Sequence, residues 1–130
     1  MNKVFLRGFV GADPLIKTFE NGGKIAVFTL ATTERGFTTK DGKTIPDVTD
    51  WHKIVVRGNG LVGICEKYVQ KGTPLLIEGK IHTRTYEDKN GVKREITEIF
   101  VEELELLGAK KNENASQNND YQPMGGDMPF

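Results

Sequence analysis

The most restrictive pattern in this chain lies between residues 74 and 107. Two long β-type runs, PLLIEGKIHTRTYE (74–87) and VKREITEIFVEELELL (92–107), are separated only by Asp88-Lys89-Asn90-Gly91. Asn-Gly between two such runs is among the stronger short-range hairpin signals, because both residues tolerate the positive φ of a tight turn. A hairpin that long needs further strands to cover it. Three are available upstream: VFLRGFV (4–10), KIAVFTLATTE (24–34) and DWHKIVVRG (50–58). The second is entered through Asn21-Gly22-Gly23, whose glycines are expected to supply the positive φ of the turn.

One segment breaks the β pattern. NGLVGICEKYVQKG (59–72) places Leu61, Ile64, Cys65 and Tyr68 at helical spacing, with Asn59 as N-cap and Gly72 as the C-terminal stop. That apolar stripe reads as core packing. The order is therefore strand, strand, strand, helix, strand, strand. Five strands with one helix between the third and fourth describe an all-β OB-fold, a five-stranded Greek-key barrel that often binds oligonucleotides or oligosaccharides. Other small barrels share such an order. The 35–49 connection (RGFTTKDGKTIPDVT) favours the OB-fold, since barrel loops of that length are commonly functional.

Composition changes near Gly108. Residues 1–108 form the expected folded domain, whereas KKNENASQNNDYQPMGGD has almost nothing to bury. A segment of that kind cannot offset the entropy of ordering itself, so 109–126 reads as a disordered linker, with 127–130 as a terminal tip. The formal net charge is zero, but Met1 to Arg94 holds 16 Lys/Arg against 10 Asp/Glu, a balance of +6. The later part is acidic. A single cysteine, Cys65, excludes an intrachain disulfide and suits a reducing cytoplasm. The N-terminus lacks the apolar run of a signal peptide, and no stretch approaches a membrane span.

No catalytic constellation is visible. His52 and His82 fall inside strands, no Cys pair or HExxH marks a metal site, and no GxSxG, Walker or dinucleotide motif occurs. The expectation is a non-enzyme without cofactor or metal. The strands themselves say more, because side chains alternate between faces. Trp51, Lys53, Val55 and Arg57 share one face of the third strand. Lys80, His82, Arg84 and Tyr86 share the face of the fourth opposite its apolar Leu75, Ile77, Gly79 and Ile81. An aromatic residue thus stands in register with basic ones on each strand, and the nearby loop adds Arg35, Phe37, Lys40 and Lys43. Single-stranded nucleic acid needs that combination: bases stack on aromatic rings at ~1–3 kcal/mol each while Lys and Arg track the phosphates. The expected platforms are Trp51, Tyr86 and Phe37; the expected phosphate contacts are Arg35, Lys53, Arg57, Lys80 and Arg84. An OB-fold module for RNA or protein, or an enzyme or oligosaccharide binder, are the rival readings.

Five segments, NKVFLRGFVGADP (2–14), NGGKIAVFTLATTE (21–34), DWHKIVVRG (50–58), YVQKGTPLLIEGKIHTRTY (68–86) and the terminal DMPF, resemble the bacterial single-stranded DNA-binding protein family. The resemblance implies an OB-fold homotetramer that coats single-stranded DNA during replication, recombination and repair in the cytoplasm, associated with the nucleoid. It implies stacking at Trp51, Tyr86 and Phe37, with Tyr86 standing where Trp is common. Arg57 departs from the family, in which many relatives carry Phe. The family also ends in a short acidic-hydrophobic tip bound by genome-maintenance proteins, which Asp127-Met128-Pro129-Phe130 matches with fewer acids.

Overall fold

Alternation in KIAVFTLATTE buries Ala26, Phe28 and Leu30 on one side of a strand and turns Val27, Thr29 and Ala31 to the other. In the neighbouring strand Ile54 and Val56 pair with Phe28 and Ala26 and are equally buried. From that seed the rest of the core follows. A computed structural model describes residues 1–108; the expected linker 109–126 and tip 127–130 lie outside the described residues. The elements are β1 (Val4–Val10), β2 (Leu15–Thr18), β3 (Lys24–Glu34), β4 (Phe37–Thr38), β5 (Thr44–Ile45), β6 (Val48–Arg57), α1 (Asn59–Tyr68), β7 (Pro74–Glu87) and β8 (Lys93–Leu106).

Antiparallel ladders join β3 to β6, β8 to β7 and β7 to β1, while β6 and β8 run parallel. Phe9 and Val10 then pair with Ala31 and Leu30, so β1 closes the ring on β3. The ring of five strands is the expected OB-fold barrel, with α1 between the third and fourth ring strands. Gly8 lies where β1 passes from β7 to β3; a Cβ there would run into the Ala31 carbonyl oxygen, so closure requires glycine. Beside the ring, β2 extends β3, and β4 and β5 form a small hairpin within the 35–49 connection. Runs of four and two residues are too short to show a period, which is why the sequence does not announce them.

A bulge shapes the longest hairpin. Glu78 pairs with Glu103 but Gly79 pairs with Val101, leaving Glu102 as the extra residue of β8. The core-facing parity of β8 therefore switches, from Ile99 and Val101 before the bulge to Leu104 after it. Lys3 reaches the bulge, donating to Glu102 Oε1 at 2.9 Å and Glu78 Oε2 at 2.9 Å.

Several local expectations change. The buried residues of α1 are Val62 and Cys65, continued by Val69, with Leu61 packed at the edge and Tyr68 exposed. The helix presents positions 62, 65 and 69 because it lies against β3 and β6, a rotation the 3.6-residue period leaves open. Asn59 is not the N-cap. Gly58 holds that position without a side-chain hydrogen bond. Asn59 instead ties the helix start to the β2–β3 turn, its Oδ1 accepting from the Lys24 N–H at 3.1 Å and its Nδ2 donating to the Gly22 carbonyl at 3.3 Å. The helix ends at Tyr68 rather than Gly72. Of the two turn glycines only Gly22 has positive φ, at 91°.

Candidate nucleic-acid interface

Register decides which side chains can meet. On the face turned away from the core, Trp51 pairs with Ala31, Lys53 with Thr29, Val55 with Val27 and Arg57 with Ile25. Across the other edge of β6, Val55 stands beside Phe100 of β8. Phe100 then pairs with Lys80, Glu98 with His82, Ile96 with Arg84 and Arg94 with Tyr86. Both expected strand faces are thus one surface crossing β3, β6, β8 and β7. Because β6 and β8 are parallel, the β3–β6 connection and the β7–β8 tip project from the same end of the sheet. The fold brings Phe37, Trp51 and Tyr86 towards that end.

Each aromatic is presented differently. Trp51 is 62% exposed and rests on Gly11, where a Cβ would come within 2.6 Å of the ring atom Cζ3 and 2.7 Å of Thr29 Oγ1. The bare backbone at Gly11 leaves the indole room to lie there. Phe37 is 61% exposed on β4, directly opposite Ile45 of β5. The base of that hairpin is pinned by the Gly36 N–H, which donates to Asp47 Oδ1 at 2.7 Å. Tyr86 is also exposed, on the part of β7–β8 that extends past the barrel, and the Arg84 guanidinium lies 6.0 Å from its ring centroid.

The cations fall into two groups. Lys53 and Lys80 are half-buried on the shared face, and Arg35 is exposed at the start of the loop. The two strand arginines expected to meet phosphates, Arg57 and Arg84, are held by neighbours. Arg84 forks onto Glu98, Nε to Oε1 at 3.1 Å and Nη2 to Oε2 at 3.3 Å. Glu98 is only 4% exposed, a carboxylate buried on a surface otherwise suited to anions, and Arg84 is its partner. Arg84 therefore offers a phosphate its outer N–H groups, not its whole fork. Arg57 lies over the Phe100 ring at 4.1 Å from the centroid, and His82 stacks on the same ring at 4.7 Å and 22°.

Phe100, Glu98 and Gly11 were not expected in the site. Alternation along IFV of β8 could have flagged Phe100, which must face away from Ile99 and Val101. The importance of Gly11 has no signal in sequence, because it depends on a ring forty residues away. Among the described residues no group of His, Cys, Asp and Glu is placed to hold a metal ion, and no helix is long and apolar enough to cross a membrane.

A closed five-strand barrel with aromatic and cationic side chains across one outer face defines an OB-fold binding domain. The chain belongs to the single-strand binding protein family, whose family model matches residues 1–107. It is 52% identical over 110 residues to the single-stranded DNA-binding protein of Bacteroides thetaiotaomicron, covering 85% of this chain and 68% of that protein. It is 42% identical over 125 residues to the single-stranded DNA-binding protein of Rickettsia felis, covering 92% of this chain and 80% of that one. Among solved structures it is similar to the chain described as "Plasmodium falciparum SSB complex with ssDNA". That match has a TM-score of 0.75 and 36% identity over 83% of this chain and 96% of the other.

Proposed function

We propose that this protein binds and protects single-stranded DNA with little sequence preference, in replication, recombination and repair, without catalysing a reaction. The observation that carries the reading is the shared outer face. Trp51 and Tyr86 are exposed on it, Lys53, Arg57, Lys80 and Arg84 stand among them, and Phe37 projects from the loop at one end. Exposed rings next to cations suit an unpaired strand, whose bases are free to stack; a duplex keeps its π-faces inside. Family membership and the DNA-bound relative support the same ligand.

Two further parts belong to this reading. The protein assembles as a homotetramer: among the described residues no strand pairs with the second edge of β1 from Val4 to Gly8, and Phe5 and Phe9 are exposed on its outer face. The segment Asp127–Phe130 recruits replication, recombination and repair proteins in the cytoplasm, offering apolar side chains beside an acid to a basic, hydrophobic pocket.

Trp51 is the only tryptophan, so its fluorescence reports directly on the site. Oligo(dT), the matching duplex and oligo(U) would be titrated at low and high salt. Strong quenching by oligo(dT) with little response to duplex is expected, with a salt slope reporting the phosphate contacts. Equal or better binding of oligo(U) would make RNA the ligand; no binding of any strand would end the nucleic-acid reading.

A further inference from the structure

Arg57 poses a question the charge pattern cannot answer: whether it meets a phosphate or a base. Three planar groups meet around β8. Arg57 comes from β6 and His82 from β7, and these strands flank β8 on opposite sides, so the Phe100 ring lies between them. The half-buried Phe100 ring is therefore already engaged by two side chains of the protein. What remains open is the far side of the Arg57 guanidinium, since Arg57 is exposed and has no acidic partner among the described residues.

The surroundings point the same way. Arg57 pairs with Ile25 across β3, and the next pair along is Val27 with Val55, the latter buried although it faces outward. A phosphate would sit poorly on that apolar strip, where it loses water and gains donors only from Arg57 and from Lys80 beyond the Phe100 ring. A nucleobase loses little there. The ring also immobilises a long side chain, which matters for a stacking plane and much less for a point charge beside a mobile phosphate.

We propose that Phe100 is a positioning residue that holds the Arg57 guanidinium as a base-stacking plane, with His82 bracing the ring from behind. The inference rests on the single-strand binding reading and names which group takes a base at that site. A guanidinium plane accepts any base face, so the site adds affinity without sequence preference.

The test compares the full-length protein with Arg57→Lys, Phe100→Leu and Phe100→Tyr. Affinity is measured for oligo(dT) and for an abasic deoxyribose-phosphate strand of the same length. A lysine brings the same charge to a phosphate but has no plane. Arg57→Lys is therefore expected to weaken oligo(dT) binding by roughly 5- to 150-fold while leaving abasic-strand binding unchanged. Phe100→Leu should produce the same selective loss, Phe100→Tyr should restore parental affinity, and Arg57→Lys with Phe100→Leu should be no weaker than either alone. Parental affinity of Arg57→Lys for oligo(dT), or equal losses on both strands, would overturn the proposal. Position 57 is exposed, so Arg57→Lys decides the matter even where Phe100→Leu unfolds. A parental protein that fails to bind oligo(dT) at all would instead remove the function reading on which the inference stands.

Discussion

Gly11 and Trp51 show how one residue can depend on another that sequence does not connect to it. The indole lies where a Gly11 side chain would be, so Gly11→Ala must push the ring aside. Because the obstructing atoms are side-chain atoms, the edge of the exposed indole and the Thr29 hydroxyl, and no backbone stands in the way, the fold should tolerate the change while the site does not. We expect weaker oligo(dT) binding and a shifted Trp51 emission with little change in melting temperature; parental emission and affinity together would show that the ring does not need that space. Cys65 makes the opposite case, a residue with no role in the site. Burial first, and the neighbouring Glu66 charge second, push its thiol up to about 11, and it is 1% exposed. A thiol so protonated is a poor nucleophile near neutral pH. Alkylation at pH 8 should therefore be slow in the native protein and rapid in denaturant, and fast labelling of native protein would place Cys65 outside the core.

Among the elements, the β7–β8 hairpin carries Tyr86, Arg84 and Phe100, so its tip governs how firmly the extended arm is held. Asp88 organises that tip. Its Oδ1 accepts from the Asn90 and Val92 N–H groups at 2.9 and 3.0 Å, and its Oδ2 accepts from Arg94 Nε at 3.0 Å. The Val92 N–H most of all, then Arg94, hold the carboxyl below the usual carboxylate range of 3.8. The direction sets the pH dependence. A carboxyl with a lowered folded value contributes its full stabilisation above the unfolded value and loses it as pH falls through the lower folded one. The hairpin tip should thus hold from neutrality down to about pH 4 and loosen below it. Amide exchange at Asn90 and Val92 would report this. Asp88→Ala should show at neutral pH the low protection, relative to the intrinsic exchange rate at each pH, that the parent shows only in acid, and matching protection profiles at every pH would show that the carboxylate does not hold the turn. The bulge at Glu102 belongs to the same hairpin. Without the parity switch it creates, Leu104 would face away from the core that Val101 faces.

For the whole molecule, the closed ring has consequences for both ends of the chain. Barrel closure is complete within the described residues, and the family match ends at residue 107. DNA binding should therefore reside in the barrel and partner binding outside it. Deleting 127–130 is expected to leave oligo(dT) affinity intact and abolish capture of replication and repair proteins; partners retained by the shortened chain would relocate their site to the barrel. The assembly is tested separately. Phe5 is 64% exposed on β1, close to the strand edge that carries no partner among the described residues. Replacing it by Glu would bury a charge in any interface built there, so Phe5→Glu should lower the mass measured by light scattering. A mass unchanged from the parent's would place any interface elsewhere.

How much of this was legible beforehand differs by element. The long runs 4–10, 24–34, 50–58, 74–87 and 92–107 declare themselves because β-type residues persist over many positions, and Asn-Gly marks the hairpin between the last two. Alternation also assigned Trp51, Lys53 and Arg57 to one face and Lys80, Arg84 and Tyr86 to another. Local chemistry sufficed there, since a strand's own geometry decides which side chains point together. Tertiary structure decided the rest. Joining the two faces depended on the parallel β6–β8 pairing, and the rotation of α1 depended on what it packs against. The Arg57–Phe100–His82 stack arises where the β7–β8 hairpin meets β6, a strand it follows only after the helix, and the burial of Glu98 depends on the same packing. Periodicity carries information along one strand, but the contacts that shape this site run across strands, and only the closed sheet sets their register.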